Sequence, residues 1–431
     1  MKLIRFSQGD AKPRFGDRAN RSRMNRMNVA GIVSRRSVQL VVLAVGSVSG
    51  AFAQVTPEPP RDPGAVAQDA QPETARKGRA RFIDPEDGQF DLSKALENPK
   101  GFLPIPIIVT EPAVGYGGGA VGMFLRPRKD AGEEGWARPN ISAVGALATQ
   151  NGTKAAFAGD ASRWLDGRLR TLVGAGTGQI NLDFYGLGPD PSAADQKVSY
   201  SLQFTGAVAQ ANWQLAPGSP WALGMRYVYA DVEPNLSEAA PFPGLVDGGR
   251  TKISAPSVIL EFDTRDNIFT PTRGIYSESS WMASREALGA TQDFERFQQV
   301  LMGWQPMDRH VTFGIRADYV WSSDSTPFFL RPFVQLRGVP AMRYQGDQVA
   351  SVEAELSWQF SGRWSVVGFG GAGATRTSSG ASSDTQNVGS GGVGFRYELA
   401  RKFGLHAGVD VAHSAGTTAV YLTVGSAWAR P

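Results

Sequence analysis

The charges best placed for chemistry are two arginines in a short glycine- and proline-containing stretch, Arg337 and Arg343 in LRGVPAMRYQG, Leu336 to Gly346. Just downstream, Ser351, Glu353, Glu355 and Ser357 share one parity, and Val352, Ala354, Leu356 and Trp358 share the other. Successive side chains of a strand point to opposite faces. A basic loop is therefore followed by a strand with an acidic face and an apolar face, and an ion pair between them is the chemistry on offer. Other constellations are weaker. His406 and Asp410 share a parity, but four residues along a strand separate them by ~13 Å, too far for a dyad by themselves. There is no G-x-S-x-G elbow, so an esterase would need a Ser–His pair assembled from different strands. G-x-G-x-x-G occurs at Gly117-Gly119-Gly122, Gly368-Gly370-Gly373 and Gly389-Gly391-Gly394. A dinucleotide site needs a helix after such glycines; none is expected here, and they read as glycine packing in tight strands. Glu261, Asp263 and Arg265 read as interior charges rather than ion ligands. No catalytic, cofactor or metal site is expected.

Composition narrows the class. The 431 residues include 51 glycines and no cysteine, which excludes disulfides, thiol catalysis and Cys-ligated metals. Basic residues including Arg21, Arg23, Arg26, Arg35 and Arg36 precede the apolar run Val38 to Gly50, and Ala51-Phe52-Ala53 follows. This is the pattern of a secretory signal, 1–53, cleaved after Ala53. It holds 10 of the 44 Lys/Arg and 2 of the 40 Asp/Glu, so removing it turns a net charge of +4 into −4. That takes away the support for a nucleic-acid partner. No later run approaches the ~18 apolar residues of a membrane helix. Residues 54–100 read as a periplasmic linker and short N-terminal segment: Pro/Ala/Gln-rich to about Arg81, then a helical turn or two within Phe82–Asn98, capped by Asp91 or Ser93.

From residue 101 to 431 the pattern is strand after strand, and the fold class expected is all-β, a closed antiparallel transmembrane barrel. Strands are expected near 102–110, 114–126, 139–149, 153–164, 168–180, 197–213, 220–232, 251–265, 275–286, 293–307, 310–323, 349–360, 364–376, 388–399, 403–413 and 417–428. Sixteen is even, as a closed single-chain barrel requires. Most are longer than the usual globular strand of about 5–6 residues, and tryptophans such as Trp164, Trp221, Trp304, Trp321, Trp364 and Trp428 fall at or near their ends, as an interfacial girdle would. Tight turns such as Asp166-Gly167 and Pro217-Gly218 alternate with long loops near 185–196, 233–250, 324–348 and 377–387; the long connection 127–138 falls out of turn. Periodicity alone does not separate a barrel from a soluble sandwich, because both alternate apolar and polar faces.

Three segments resemble one family. EFDTRDNIFTPTRG, Glu261 to Gly274, is similar to the strand–turn–strand of the BamA/TamA (bacterial surface antigen) barrels, with Asp263, Arg265, Asp266, Asn267, Pro271 and Gly274 as the hairpin motif. Leu336-Arg337-Gly338 resembles that family's Val-Arg-Gly-Phe/Tyr motif in the sixth extracellular loop, and Phe102 to Gly119 looks like the barrel start of a short subgroup. The resemblance implies an outer-membrane location and a sixth loop folded back into the lumen, with Arg337 and Gly338 latched to the wall. Glu355 is the favoured partner, with Glu353 two residues away on the same face. It also implies an acid on the thirteenth strand, where this chain has Gly371-Ala372-Gly373. Trp428 resembles the terminal-strand aromatic that marks barrels for insertion. The family's POTRA modules do not fit in 54–100, so a POTRA-containing or other periplasmic protein, beside outer-membrane lipid, is the partner expected. The function implied is assistance to insertion or translocation of proteins or lipids; the alternative is a passive pore, structural barrel or surface antigen.

Overall fold

The computed structural model describes residues 82–94, 101–126, 140–184, 198–236, 249–379 and 382–428. The expected signal 1–53, linker residues 54–81 and the connection 127–138 lie outside them. Sixteen strands form one sheet in which every neighbour pair is sequential. They are β1 Gly101–Val109, β2 Gly117–Arg126, β3 Asn140–Thr149, β4 Lys154–Trp164, β5 Leu169–Phe184, β6 Val198–Gln214, β7 Trp221–Leu236 and β8 Thr251–Asp263. Then come β9 Gly274–Ser284, β10 Phe294–Pro306, β11 Val311–Ser322, β12 Gln348–Ser361, β13 Trp364–Ser379, β14 Ser382–Ala400, β15 Leu405–Ser414 and β16 Thr417–Val424. All the pairings are antiparallel, from Ile105 opposite Val121 to Val411 opposite Val420. Among the described residues, no helix is long and apolar enough to cross a membrane.

The sheet is turned inside out relative to a soluble sandwich. On β12, Val352, Leu356 and Trp358 are exposed while Ser351 and Glu353 are buried. On β7 and β14, Met225 and Val393 are each 66% exposed, yet Asp410 of neighbouring β15 is fully buried. A water-driven fold would bury the first set and expose the second. Here the polar face points into the space enclosed by the curling sheet, and the apolar face points out.

That enclosed space is not uniformly polar. Toward the long-loop end, Ile180, Leu182, Tyr200, Leu202, Val232, Ile253 and Phe294 line it from β5 to β10. The β11–β12 connection, 323–347, descends onto this patch. Its 3-10 turn Phe328–Leu330 sets Phe328 edge-on to Tyr200 at 5.4 Å, and Phe329 and Met342 are buried in the same cluster. Burying such side chains is worth about 1.5–3 kcal/mol each. The apolar wall explains why this loop folds inward instead of standing in water.

β1 and β16 are the two edges of the sheet and share no hydrogen-bonded ladder. A side-chain contact links the two edge regions: Thr110, just past β1, donates through Oγ1 to the Val420 carbonyl at 3.0 Å.

Several expected boundaries shift. The loop expected at 377–387 is instead a hairpin between strands ending at Ser379 and starting at Ser382. Its Ser/Thr-rich sequence reads as loop, but Thr suits a strand and cross-strand pairing such as Thr377 opposite Asp384 continues. The loops near 185–196 and 233–250 fall mostly outside the described residues. The last strand ends at Val424, not 428. The helical turn expected within Phe82–Asn98 is preceded by a small hairpin, with a bridge between Ile83 and Phe90; a helical conformation begins at Ser93, with Asp91 accepting the Ser93 N–H.

Candidate functional site

The inward loop narrows to a tip. Val334 N–H donates to the Tyr344 carbonyl at 3.0 Å and Gly346 N–H to Pro332 O at 3.1 Å, which pinches residues 334–344 into a finger. At its end Gly338 adopts φ +92°, and an added Cβ would lie 3.1 Å from the His413 backbone. Only glycine takes this conformation without strain, and its small size brings the tip against β15. Gly338 N–H donates to the Tyr421 hydroxyl of β16 at 3.0 Å. On its other flank, Ala341 N–H donates to the Glu111 carboxylate, in the β1–β2 connection, at 3.1 Å. The finger thus reaches elements beside both edges of the sheet.

Arg337 projects from the tip into a nest of three carboxylates. Its Nε lies 2.9 Å from Glu353 Oε1, Nη2 lies 2.8 Å from Glu355 Oε2 and Nη1 lies 3.0 Å from Asp410 Oδ2. The Arg337 backbone N–H also donates to Glu353 Oε2, at 3.2 Å. The guanidinium carbon sits 3.5 Å from the Phe369 ring centroid, a cation–π contact. Asp410 is shared with Arg396, whose Nη1 and Nη2 both donate to it. Two guanidinium cations therefore face three carboxylates, and every arm of the Arg337 fork is engaged, an arrangement a lysine ammonium would not reproduce.

This geometry corrects the expectation for the latch. Glu353 rather than Glu355 is the main partner, because it takes both the Arg337 backbone and Nε. Glu355 contributes one ion pair. No acid comes from β13, and the reason is steric. A Cβ at Gly371 would lie 2.9 Å from Leu336 Cδ2, and one at Gly373 2.5 Å from Val334 Cγ1. These glycines make room for the apolar flank of the finger, and the third acid comes from two strands away as Asp410. The sequence pairs Asp410 with His406 only by parity. His406 instead approaches the Gly404 carbonyl, with Nδ1 at 3.1 Å.

Trp428 is also differently placed. Gly425, at φ +79°, turns the chain inward after β16, and Ser426 N–H donates to Phe269 O. Trp428 is then buried against Trp304, with ring centroids 6.0 Å apart, and its Nε1 donates to Glu353 Oε1 at 2.6 Å. Neither tryptophan belongs to an outward girdle. Trp428 braces the latch from below, a role that its alternation in the sequence could not reveal. Beneath the latch a cavity lined by Thr270, Trp304, Glu355, Arg396 and His406 extends toward the Asp308–His310 turn.

The hairpin motif is brought together at the short-turn end, away from the latch. Asp263 takes a bidentate grip on Arg265, at 2.9 Å and 2.7 Å, and the Arg265 guanidinium stacks 4.3 Å from the Tyr276 centroid. Asp266 accepts backbone N–H donors from Asn267, Thr272 and Arg273. Asn267 donates to Phe403 O at 2.8 Å, tying the β8–β9 turn to the β14–β15 turn. Buried Pro271 lines the cavity. A Cβ at Gly274, φ +107°, would meet Thr264 O at 2.3 Å. The motif is a structural staple rather than a chemical centre.

A second buried arginine has no signal in the sequence pattern. Arg363, in the β12–β13 turn, is 1% exposed and is held by residues 82–94, which pass beneath the sheet as a strap. Asp84, Asp87 and Asp91 surround its guanidinium, the last two at 2.5 Å and 2.6 Å. Leu92 N–H donates to Leu399 O at 2.8 Å, and Lys402 N–H to Ser93 Oγ at 3.1 Å. The hydrogen bond from Arg363 holds the Asp87 carboxyl below its ordinary value of 3.8. For Asp91, burial pushes upward, but hydrogen bonds from Ser93 and Arg363 outweigh it and the pKa is again lowered. Depressed carboxylate pKa values stabilise the docked strap above the unfolded value and lose that contribution as pH falls through the folded one. The strap is expected to stay docked from neutral pH to about pH 4 and to release below it, read as protease cleavage within 82–94 appearing only in the acid range.

A BamA from Haemophilus ducreyi, solved without POTRA domains 1-3, superposes with a TM-score of 0.50 over 81% of this chain and 82% of that one, at 10% identity. CdiB from Escherichia coli gives a TM-score of 0.52 at 12% identity, over 74% of this chain and 61% of that one. The chain has the barrel fold of BamA and CdiB. CdiB from Acinetobacter baumannii agrees, with a TM-score of 0.52 at 8% identity, and the match spans 59% of that chain and 75% of this one. No protein-family model and no curated protein matches the sequence. In this BamA-like barrel the likeness extends to architecture, at identities where individual side chains are not transferred.

Proposed function

We propose that the chain is an outer-membrane β-barrel that assists insertion or translocation of proteins or lipids, and that it is not an enzyme. The outward apolar face then meets lipid and the inward polar face lines the lumen. The short-turn end faces the periplasm and the long-loop end the exterior. The observation that carries this reading is the β11–β12 finger. It fills the apolar outer half of the lumen, and its tip bonds Tyr421 on β16 and Glu111 after β1, beside two edges that lack a ladder. A barrel of this design holds its own seam from within, which suits a structure that opens against a substrate. The non-enzymatic reading has support in the site itself, where the most buried acid, Asp410, is taken up by two arginines.

The runner-up, a passive pore or structural barrel, is separated by conductance. Purified protein in planar bilayers is expected to show no stable open level, because the inward loop packs Phe329 and Met342 against the apolar wall. Stable ohmic steps from the unmodified protein would favour the passive pore.

A further inference from the structure

The strap has two unlike faces. One is acidic and is consumed by Arg363. The other carries Phe82, Ile83 and Phe90, which remain 40%, 40% and 46% exposed although Phe82 and Phe90 stack on each other at 6.2 Å. Three large apolar side chains left exposed on so short a segment mark an interaction surface. Its place on the barrel says with what. Phe90 O accepts the Tyr397 hydroxyl at 2.6 Å. Tyr397 lies on the same outward parity of β14 as Val393 and Phe395, while Arg396 between them points inward to Asp410. Outside, Trp364 packs 4.8 Å from Phe395 and 4.6 Å from Tyr397, and Phe360 lies 6.1 Å from Phe395. The strap's apolar face is therefore the next step of an outward aromatic band at the short-turn end. Leu92, at the end of this face, is packed among Ile268, Phe269 and Phe403.

We propose that Phe82, Ile83 and Phe90 form a lipid-binding anchor that sits in the headgroup–acyl boundary of the periplasmic leaflet, with Arg363 clamping the segment so that this face is turned to the bilayer. The proposal rests on the outer-membrane reading above. Aromatic side chains at the interface are favoured because an apolar body and a wet edge both find their medium there. Arg363 holds Asp84, Asp87 and Asp91 against the β12–β13 turn, so the apolar side of the strap is the one left to face the bilayer. The same clamp gives the strap a fixed depth, since Tyr397 belongs to the barrel wall.

The chain has no cysteine, so single nitroxide labels can be placed without a background. Phe82→Cys, Ile83→Cys, Phe90→Cys and Glu86→Cys, the last at a side chain 76% exposed on the strap, are compared in the full-length protein reconstituted in phospholipid bilayers. Val393→Cys on the outward wall is the control for the barrel. All five side chains are exposed or half-exposed, so labelling leaves the packed interior intact, and retention of fast gel migration verifies it. Oxygen accessibility is expected to exceed that of a water-soluble nickel chelate at 82, 83, 90 and 393, with the reverse at 86. If 393 reads as lipid-exposed while 82, 83 and 90 read as water-exposed, the anchor is overturned and the barrel reading stands. If 393 also reads as water-exposed, the barrel reading itself fails, and the anchor with it.

Discussion

Arg337→Ala is expected to destabilise the barrel by about 3–5 kcal/mol, the range for removing one partner from a buried ion pair. The substitution would leave Glu353, Glu355 and Asp410 facing one another, with Arg396 still on Asp410 and the Trp428 indole N–H still on Glu353. In a narrow, partly apolar lumen that charge is poorly solvated. The measurement is the temperature at which the folded barrel loses its fast migration on a gel. Glu353→Gln should also lower it, and the double variant should lose less than the sum of the two, with a coupling of roughly 0.5–3 kcal/mol. Arg337→Lys should recover little, because one ammonium cannot serve three carboxylates reached by separate arms of a planar fork. Additive losses would show that Arg337 and Glu353 act independently.

The second large effect concerns the lumen. Deleting residues 328–342 with a short flexible bridge removes Phe329 and Met342 from the outer cluster together with Arg337 and Gly338. The deletion variant is expected to pass stable current in planar bilayers where the full chain passes none. A deletion barrel that folds and stays closed would mean that something other than the finger occludes it.

How much of this was readable from the residues varies with the physics involved. Strand number and order follow from alternation, a local property, and sixteen strands are present in the expected order, with ends that shift where cross-strand pairing or a turn overrides the pattern. Which face points inward does not follow, because a sandwich and a barrel share the same period. It took the exposure of Met225 and Val393 beside a buried Asp410 to decide. The latch was half legible. Arg337, Glu353 and Glu355 are near one another in sequence, so loop and strand announce their contact. Asp410 is 73 residues from Arg337 and meets it only because the sheet curls, which no local pattern encodes. Its absence from β13 is explained by Gly371 and Gly373, whose missing side chains admit Leu336 and Val334. Trp428 looked like an interfacial aromatic because parity continued past Val424; the positive φ of Gly425 breaks that parity and sends the ring inward. The Arg363 strap is hidden because Asp84, Asp87 and Asp91 sit in a short segment whose local pattern signals only a helical turn and its cap, some 270 residues before their partner.

The latch, the inward loop and the unladdered edges support the proposal that this barrel handles other molecules at the outer membrane instead of leaving a hole in it. The most direct test is depletion of the protein in its native cell, followed by quantitative comparison of outer-membrane proteins and outer-leaflet lipid. The account predicts selective loss of at least one barrel protein, exported protein or lipid class, restored by the wild-type chain but not by Arg337→Ala expressed at the same level. An unchanged outer-membrane inventory after complete depletion would contradict it.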